Sequence, residues 1–217
     1  MPREREEIFR ESNTKIKEKV IVLAFEGNDT ERIYFEELKS HVKFNDDVIY
    51  LHLLNRPKSD TNSAPKHVFS KLKKEAKDEY NFNSQDELWM IIDRDRWKNI
   101  ELIVDLCKEQ GNMFVAGSNP CFELWLLLHV KEISDLSEEV IKAIEINRKV
   151  SKNRTYIEKL LSDILGDGYN KTNPNPSRFL PTINNAIKQA KALDNPSEDF
   201  PTSIGSHVYR IAEIVIK

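Results

Sequence analysis

The stretch Leu88-Trp89-Met90-Ile91-Ile92-Asp93-Arg94-Asp95 sets the tightest limit on what this chain can become. Its unbroken apolar run suits a strand buried on both faces, as in a parallel sheet sheathed by helices. Two carboxylates one residue apart follow at its carboxyl end, where open α/β sheets place their ligands. In extended backbone Asp93 and Asp95 point the same way and Arg94 the other. Like charges so close repel unless a cation lies between them, and a divalent metal carrying a phosphate is the simplest such cation. A structural reading competes: Asp93 as the cap of the next helix and Asp95 as a solvated turn residue.

Val20-Ile21-Val22-Leu23-Ala24-Phe25 repeats the pattern, a β-rich apolar run that ends in Glu26-Gly27. Gly27 permits a sharp turn, and Asn28-Asp29-Thr30-Glu31 supplies helix-start chemistry before the amphipathic stretch Ile33 to Val42. Strand, glycine turn and helix N-terminus together suit an anion. Val48 to Leu54 and Met113 to Ala116 read as further strands, and the intervening segments read as helices, one carrying Val68, Phe69, Leu72 and Ala76, the next Ile100, Val104 and Cys107. Strands and helices alternating at this spacing predict an α/β, Rossmann-like core with a mainly parallel four-stranded sheet.

Ser118-Asn119-Pro120-Cys121-Phe122-Glu123-Leu124-Trp125-Leu126-Leu127-Leu128-His129 predicts a buried helix, with Asn119 as cap and Pro120 as first helical residue. Glu123 sits inside this apolar run one position late for a capping box, so it needs a partner of another kind. His129 reads as a helix-end histidine favourably placed against the dipole, and Trp89, Phe122 and Trp125 read as core. From Ile133 to Leu165 the pattern is helical with no strand, then a turn-rich loop covers 166–178 and two more helices follow, Pro181 to Leu193 and Ile204 to Ile216. Three parts are expected: a polar arm over 1–18, the α/β core over 19–130, and a helical region over 131–217 packing on it.

A net charge of -3 gives no global pull toward nucleic acid, so any phosphate-binding surface must be a local patch. Cys107 and Cys121 match no zinc or disulfide spacing, and no apolar run reaches the length of a membrane span. A cytoplasmic chain is expected.

Phe25-Glu26-Gly27-Asn28-Asp29-Thr30-Glu31 with Tyr34-Phe35, then Ile92-Asp93-Arg94-Asp95-Arg96, then the run from Ser118 to His129 resemble the RloB-like family, a Toprim (topoisomerase-primase) branch often found in bacterial defence loci. The resemblance implies a Toprim-like core with Glu26 as the glutamate after the first strand, Asp93 and Asp95 as the metal-binding pair, and Glu31 as a second acid of the first motif. The expected metal ligands are therefore Glu26, Glu31, Asp93 and Asp95. Glu26, Asp93, Asp95 and Glu123 are the expected catalytic acids, gathered around Mg²⁺ or Mn²⁺, whose preference is for oxygen donors. Arg94, Arg96 and Lys171 are candidate phosphate contacts. With these residues, the resemblance implies a metal-dependent nuclease acting on DNA or RNA in anti-phage defence. The competing class is a non-catalytic partner or sensor subunit working with an ATPase encoded beside it; a phosphotransferase or primer-synthesising enzyme stands third.

Overall fold

The computed structural model describes residues 11–12, 15–27, 29–55, 64–79, 82–94, 97 and 99–217. Asp95, Arg96, most of the loop 55–63 and most of the N-terminal arm lie outside the described residues.

The two apolar runs form the middle of a five-stranded sheet. Strands β1 (Lys19–Phe25), β2 (Ile49–Leu53), β3 (Glu87–Asp93), β4 (Met113–Asn119) and β5 (Gly205–Ser206) lie in the order β2-β1-β3-β4-β5. The first four are parallel, and β5 adds antiparallel to β4. The helices between them are α1 (Thr30–Ser40), α2 (Pro65–Glu79) and α3 (Ile100–Lys108). After β4 come α4 (Phe122–Val130), α5 (Glu138–Ile146), α6 (Tyr156–Leu165), α7 (Ile183–Leu193) and α8 (Val208–Val215).

Strand alternation divides the core in two. Val20, Val22 and Ala24 of β1 pack with Leu88, Met90 and Ile92 of β3 against α2 and α3. Ile21, Leu23 and Phe25 face the other way, with Trp89 and Ile91, toward α1, α4 and the C-terminal helices. Both faces are covered, which is why neither strand shows polar alternation.

Helix α4 is the pillar of the second layer. Leu124, Trp125, Leu126, Leu127 and Leu128 are fully buried, and each such side chain contributes about 1.5–3 kcal/mol by leaving water. A helix held that firmly fixes where its first turn lies.

Two local expectations are corrected. The fourth strand continues to Asn119, and the cap of α4 is Cys121, not Asn119. Ser118 and Asn119 stay extended because Ser206 and Gly205 pair with them and the two serine hydroxyls bond at 2.8 Å. Strand structure also recurs after Ile133, in β5 and in a small hairpin, Lys149–Ser151 with Arg154–Thr155. The expected four-stranded sheet is the parallel part of a five-stranded one.

Candidate functional site

The strand order reverses between β1 and β3: from β1 the chain passes to β2 on one side, and β3 leads on to β4 on the other. Such a switch point leaves a crevice at the carboxyl ends of the two strands. Glu26 follows β1 and Asp93 ends β3, so both stand at its mouth.

The two acids are linked through the backbone. Glu26 Oε2 accepts from the Asp93 N–H at 3.1 Å and Oε1 accepts from the Trp97 indole at 2.8 Å. Asp93 Oδ1 accepts from the Phe122 N–H at 2.8 Å. Asp93 is thus a helix cap, but of α4 and not of the helix that follows it in sequence. The Cys121 side chain makes no cap bond, and a carboxylate at a helix N-terminus is favoured by the dipole.

Glu31 lies in the first turn of α1 and is buried. Its carboxylate folds back over Gly27, where a Cβ would overlap it, so the glycine leaves room for the carboxylate in this position. Burial, with the charges of Glu123 and Glu26 beside it, pushes the Glu31 carboxyl up to about 7, against the pull of the Glu31 and Gly27 N–H groups. Glu123, in the first turn of α4, is raised by burial and by the charge of Glu158, with the Cys121 thiol and its own N–H opposing. Its Oε1 accepts from the Tyr169 hydroxyl at 3.2 Å, which is the partner its burial demands.

The C-terminal region supplies the facing wall. Thr155 and Glu158 form a capping box at the start of α6, and Glu158, also buried, pairs with Lys171 at 3.3 Å. The Lys171 carbonyl accepts from the Thr30 hydroxyl at 2.7 Å, tying the loop to the start of α1.

One cleft of about 240 Å³ is lined by Glu26, Glu31, Asp93, Glu123 and Lys171 from the expected set. Asp29, Glu158, Thr155 and Cys121 line it too. Arg94 is elsewhere. Its guanidinium bonds the Pro201 carbonyl and Glu101 and lies over the Phe200 ring, on the α3 side of the sheet. Period-two alternation turns it away from Asp93, and it is not among the residues lining the cleft.

His129 corrects another expectation. It is buried, Nδ1 donates to the Phe179 carbonyl at 2.7 Å, and Nε2 accepts from the Tyr34 hydroxyl at 3.1 Å. Burial lowers its pKa to about 3, so it is neutral and offers the helix dipole no charge. Glu158 and Tyr169 carry no signal of a site in the sequence. The Thr155-x-x-Glu158 spacing was there to be read, but as a capping box it carries a structural meaning already; Tyr169 sits in a turn-rich loop with no periodicity.

The donor set suits a hard cation: carboxyl oxygens, two of which resist ionisation because they are buried, with neighbouring acids adding to the effect. Among the described residues no three His, Cys, Asp or Glu side chains are grouped to hold an ion by themselves. Magnesium does not require that, since it keeps several waters and binds through one or two carboxylates plus substrate phosphate. Among the described residues no helix is long and apolar enough to cross a membrane.

Comparison with the curated proteins and with the solved structures finds no match. The family model for RloB-like protein matches residues 21–214, which takes in both strands of the crevice, α4 and the C-terminal wall, and the chain belongs to the RloB-like family.

Proposed function

We propose that the protein is a metal-dependent, Toprim-type nuclease that hydrolyses phosphodiester bonds of DNA or RNA in anti-phage defence. The supporting observation is that Glu26, Glu31, Asp93 and Glu123, drawn from three separate stretches of the chain, line one cleft at the switch point of the sheet. Among the described residues, Asp29 and Glu158 bring the lining carboxyls to six against one ammonium, that of Lys171. A polyphosphate meets net repulsion there unless cations intervene.

Glu26, Glu31 and Asp93, with Asp95 beyond the described residues, are the groups that would hold Mg²⁺ or Mn²⁺. The ion, once bound, would supply Lewis-acid polarisation of the phosphoryl oxygen and a more acidic water. The chain's own part is threefold. Asp93 is held in place by the α4 N–H, and Glu26 by the Asp93 N–H and Trp97. Glu31, whose carboxyl burial raises, is the group whose ionisation a cation beside it would favour. Lys171, at the cleft edge, offers its ammonium to a phosphate.

The test is cleavage of single- and double-stranded DNA, RNA and tRNA with Mg²⁺ or Mn²⁺. The proposal expects cleavage that is abolished by chelation and by Asp93→Asn. Absence of cleavage on every substrate, or cleavage that survives Asp93→Asn, removes it.

One observation favours the second reading, a non-catalytic subunit of an ATPase-containing complex. Glu26, Asp93 and Glu123 already receive hydrogen bonds from within the fold, as purely structural acids would. Phage protection that persists in Asp93→Asn, together with co-purification of an ATPase, supports that reading.

A further inference from the structure

The cleft is two-sided, and the second side restricts what enters. Glu26, Glu31, Glu123 and Glu158 are each only 6 or 7% exposed, although they line the site. The core contributes the β1 and β3 ends and the start of α4. The C-terminal region contributes Thr155, Glu158, Lys171 and Thr172. The loop is fastened across by Thr30 bonding the Lys171 carbonyl and by Tyr169 bonding Glu123. A volume of about 240 Å³ falls just under the usual range for small-ligand pockets, roughly 300–1,000 Å³, so what enters must be small.

An intact duplex carries its phosphates on the outside of a stiff cylinder, and lowering one into a concave site drags paired, stacked bases with it. Freeing a nucleotide from the stack costs a few kcal/mol, and least where the strand is already unpaired. A single strand bends through its own torsions and brings one phosphate down. Lys171 suits that entry: its side chain is half exposed while its partner Glu158 is buried, so the ammonium can leave for a phosphate at the mouth.

We propose that the site accepts single-stranded or frayed nucleic acid and excludes intact duplex, with Lys171 exchanging Glu158 for the substrate phosphate. This rests on the nuclease reading above. The experiment uses end-labelled strands of one sequence as single-stranded DNA, single-stranded RNA, blunt duplex and duplex with a single-stranded tail, each with the full-length protein and Mn²⁺. Binding of the same strands is followed by fluorescence anisotropy in Ca²⁺. Single strands and tails are expected to be cut at least about tenfold faster than the blunt duplex. Equal rates on blunt duplex and single strand overturn the inference and leave the nuclease reading standing. Absence of cleavage on all four removes the nuclease reading, and the anisotropy then decides: tenfold tighter binding of single strands supports the substrate class, and equal binding overturns it. Lys171→Gln is expected to raise KM about tenfold with kcat little changed, and Lys171→Arg to restore it. The double variant Glu158→Gln/Lys171→Gln, which leaves no unpaired buried charge, is expected to show the same KM. An unchanged KM in both overturns the part given to Lys171.

Discussion

Asp93 combines the two roles that the bare D-x-D pattern set against each other. It caps a helix, α4, through the Phe122 N–H, and it stands at the cleft. The roles separate by substitution. Asp93→Asn keeps an oxygen for the Phe122 N–H and is expected to lose cleavage with little loss of stability. Asp93→Ala also removes the cap and is expected to unfold about 1 kcal/mol more easily in urea. Glu31 gives a pH prediction. Its carboxyl moves from 4.5 to about 7 in the fold, so between those values the folded chain holds a proton that the unfolded chain has released. Its contribution to stability is greatest below pH 4.5 and is lost as pH rises toward 7. Glu31→Gln is expected to raise the metal-free melting temperature at pH 8 and to change it little at pH 5; an equal change at both pH values contradicts the assignment. His129 shows why some residues resist reading from sequence. Its position at the end of a helix is plain, but its neutrality is set by burial, to which the ring of Phe179, fifty residues later, contributes by packing edge-on against it, and no local pattern announces that contact.

Among the elements, the most telling is the turn from β1 into α1. At Gly27 the Glu31 carboxylate occupies the space a Cβ would take. Gly27→Ala is therefore expected to displace Glu31, lowering Mn²⁺ affinity in calorimetry while the far-UV spectrum stays unchanged; an unaltered affinity shows that Glu31 does not act at the metal. The loop after α6 makes a second case. Tyr169→Phe leaves a buried Glu123 oxygen without its hydroxyl donor, and a loss of about 1–3 kcal/mol in urea unfolding is expected. Elements that close on themselves were legible. The apolar runs of β1 and β3, and the all-round apolar α4, announce their burial. Elements defined by a distant partner were not: the last two residues of β4 are held extended by β5, 88 residues later.

Across the whole molecule, the parallel sheet and its carboxyl-end acids were readable because burial on both faces and strand-helix alternation are written locally. The far wall of the cleft was not. Glu158 and Tyr169 belong to a region whose sequence specifies helices and turns but not the surface they pack against. Helices α6 and α7 pack against α4, and burial makes the Glu123 and Glu31 carboxyls in the cleft reluctant to ionise. That reluctance is what a cation relieves, so the fold, the burial of the acids and the proposed metal form one account. Its most direct test is a crystal soaked in Mn²⁺ and measured at an anomalous wavelength. The account predicts a peak in the cleft within bonding distance of Asp93 and at least one of Glu26, Glu31 and Asp95. A map without a peak there, from crystals in which the cleft is open to solvent and Mn²⁺ is in large excess, contradicts it.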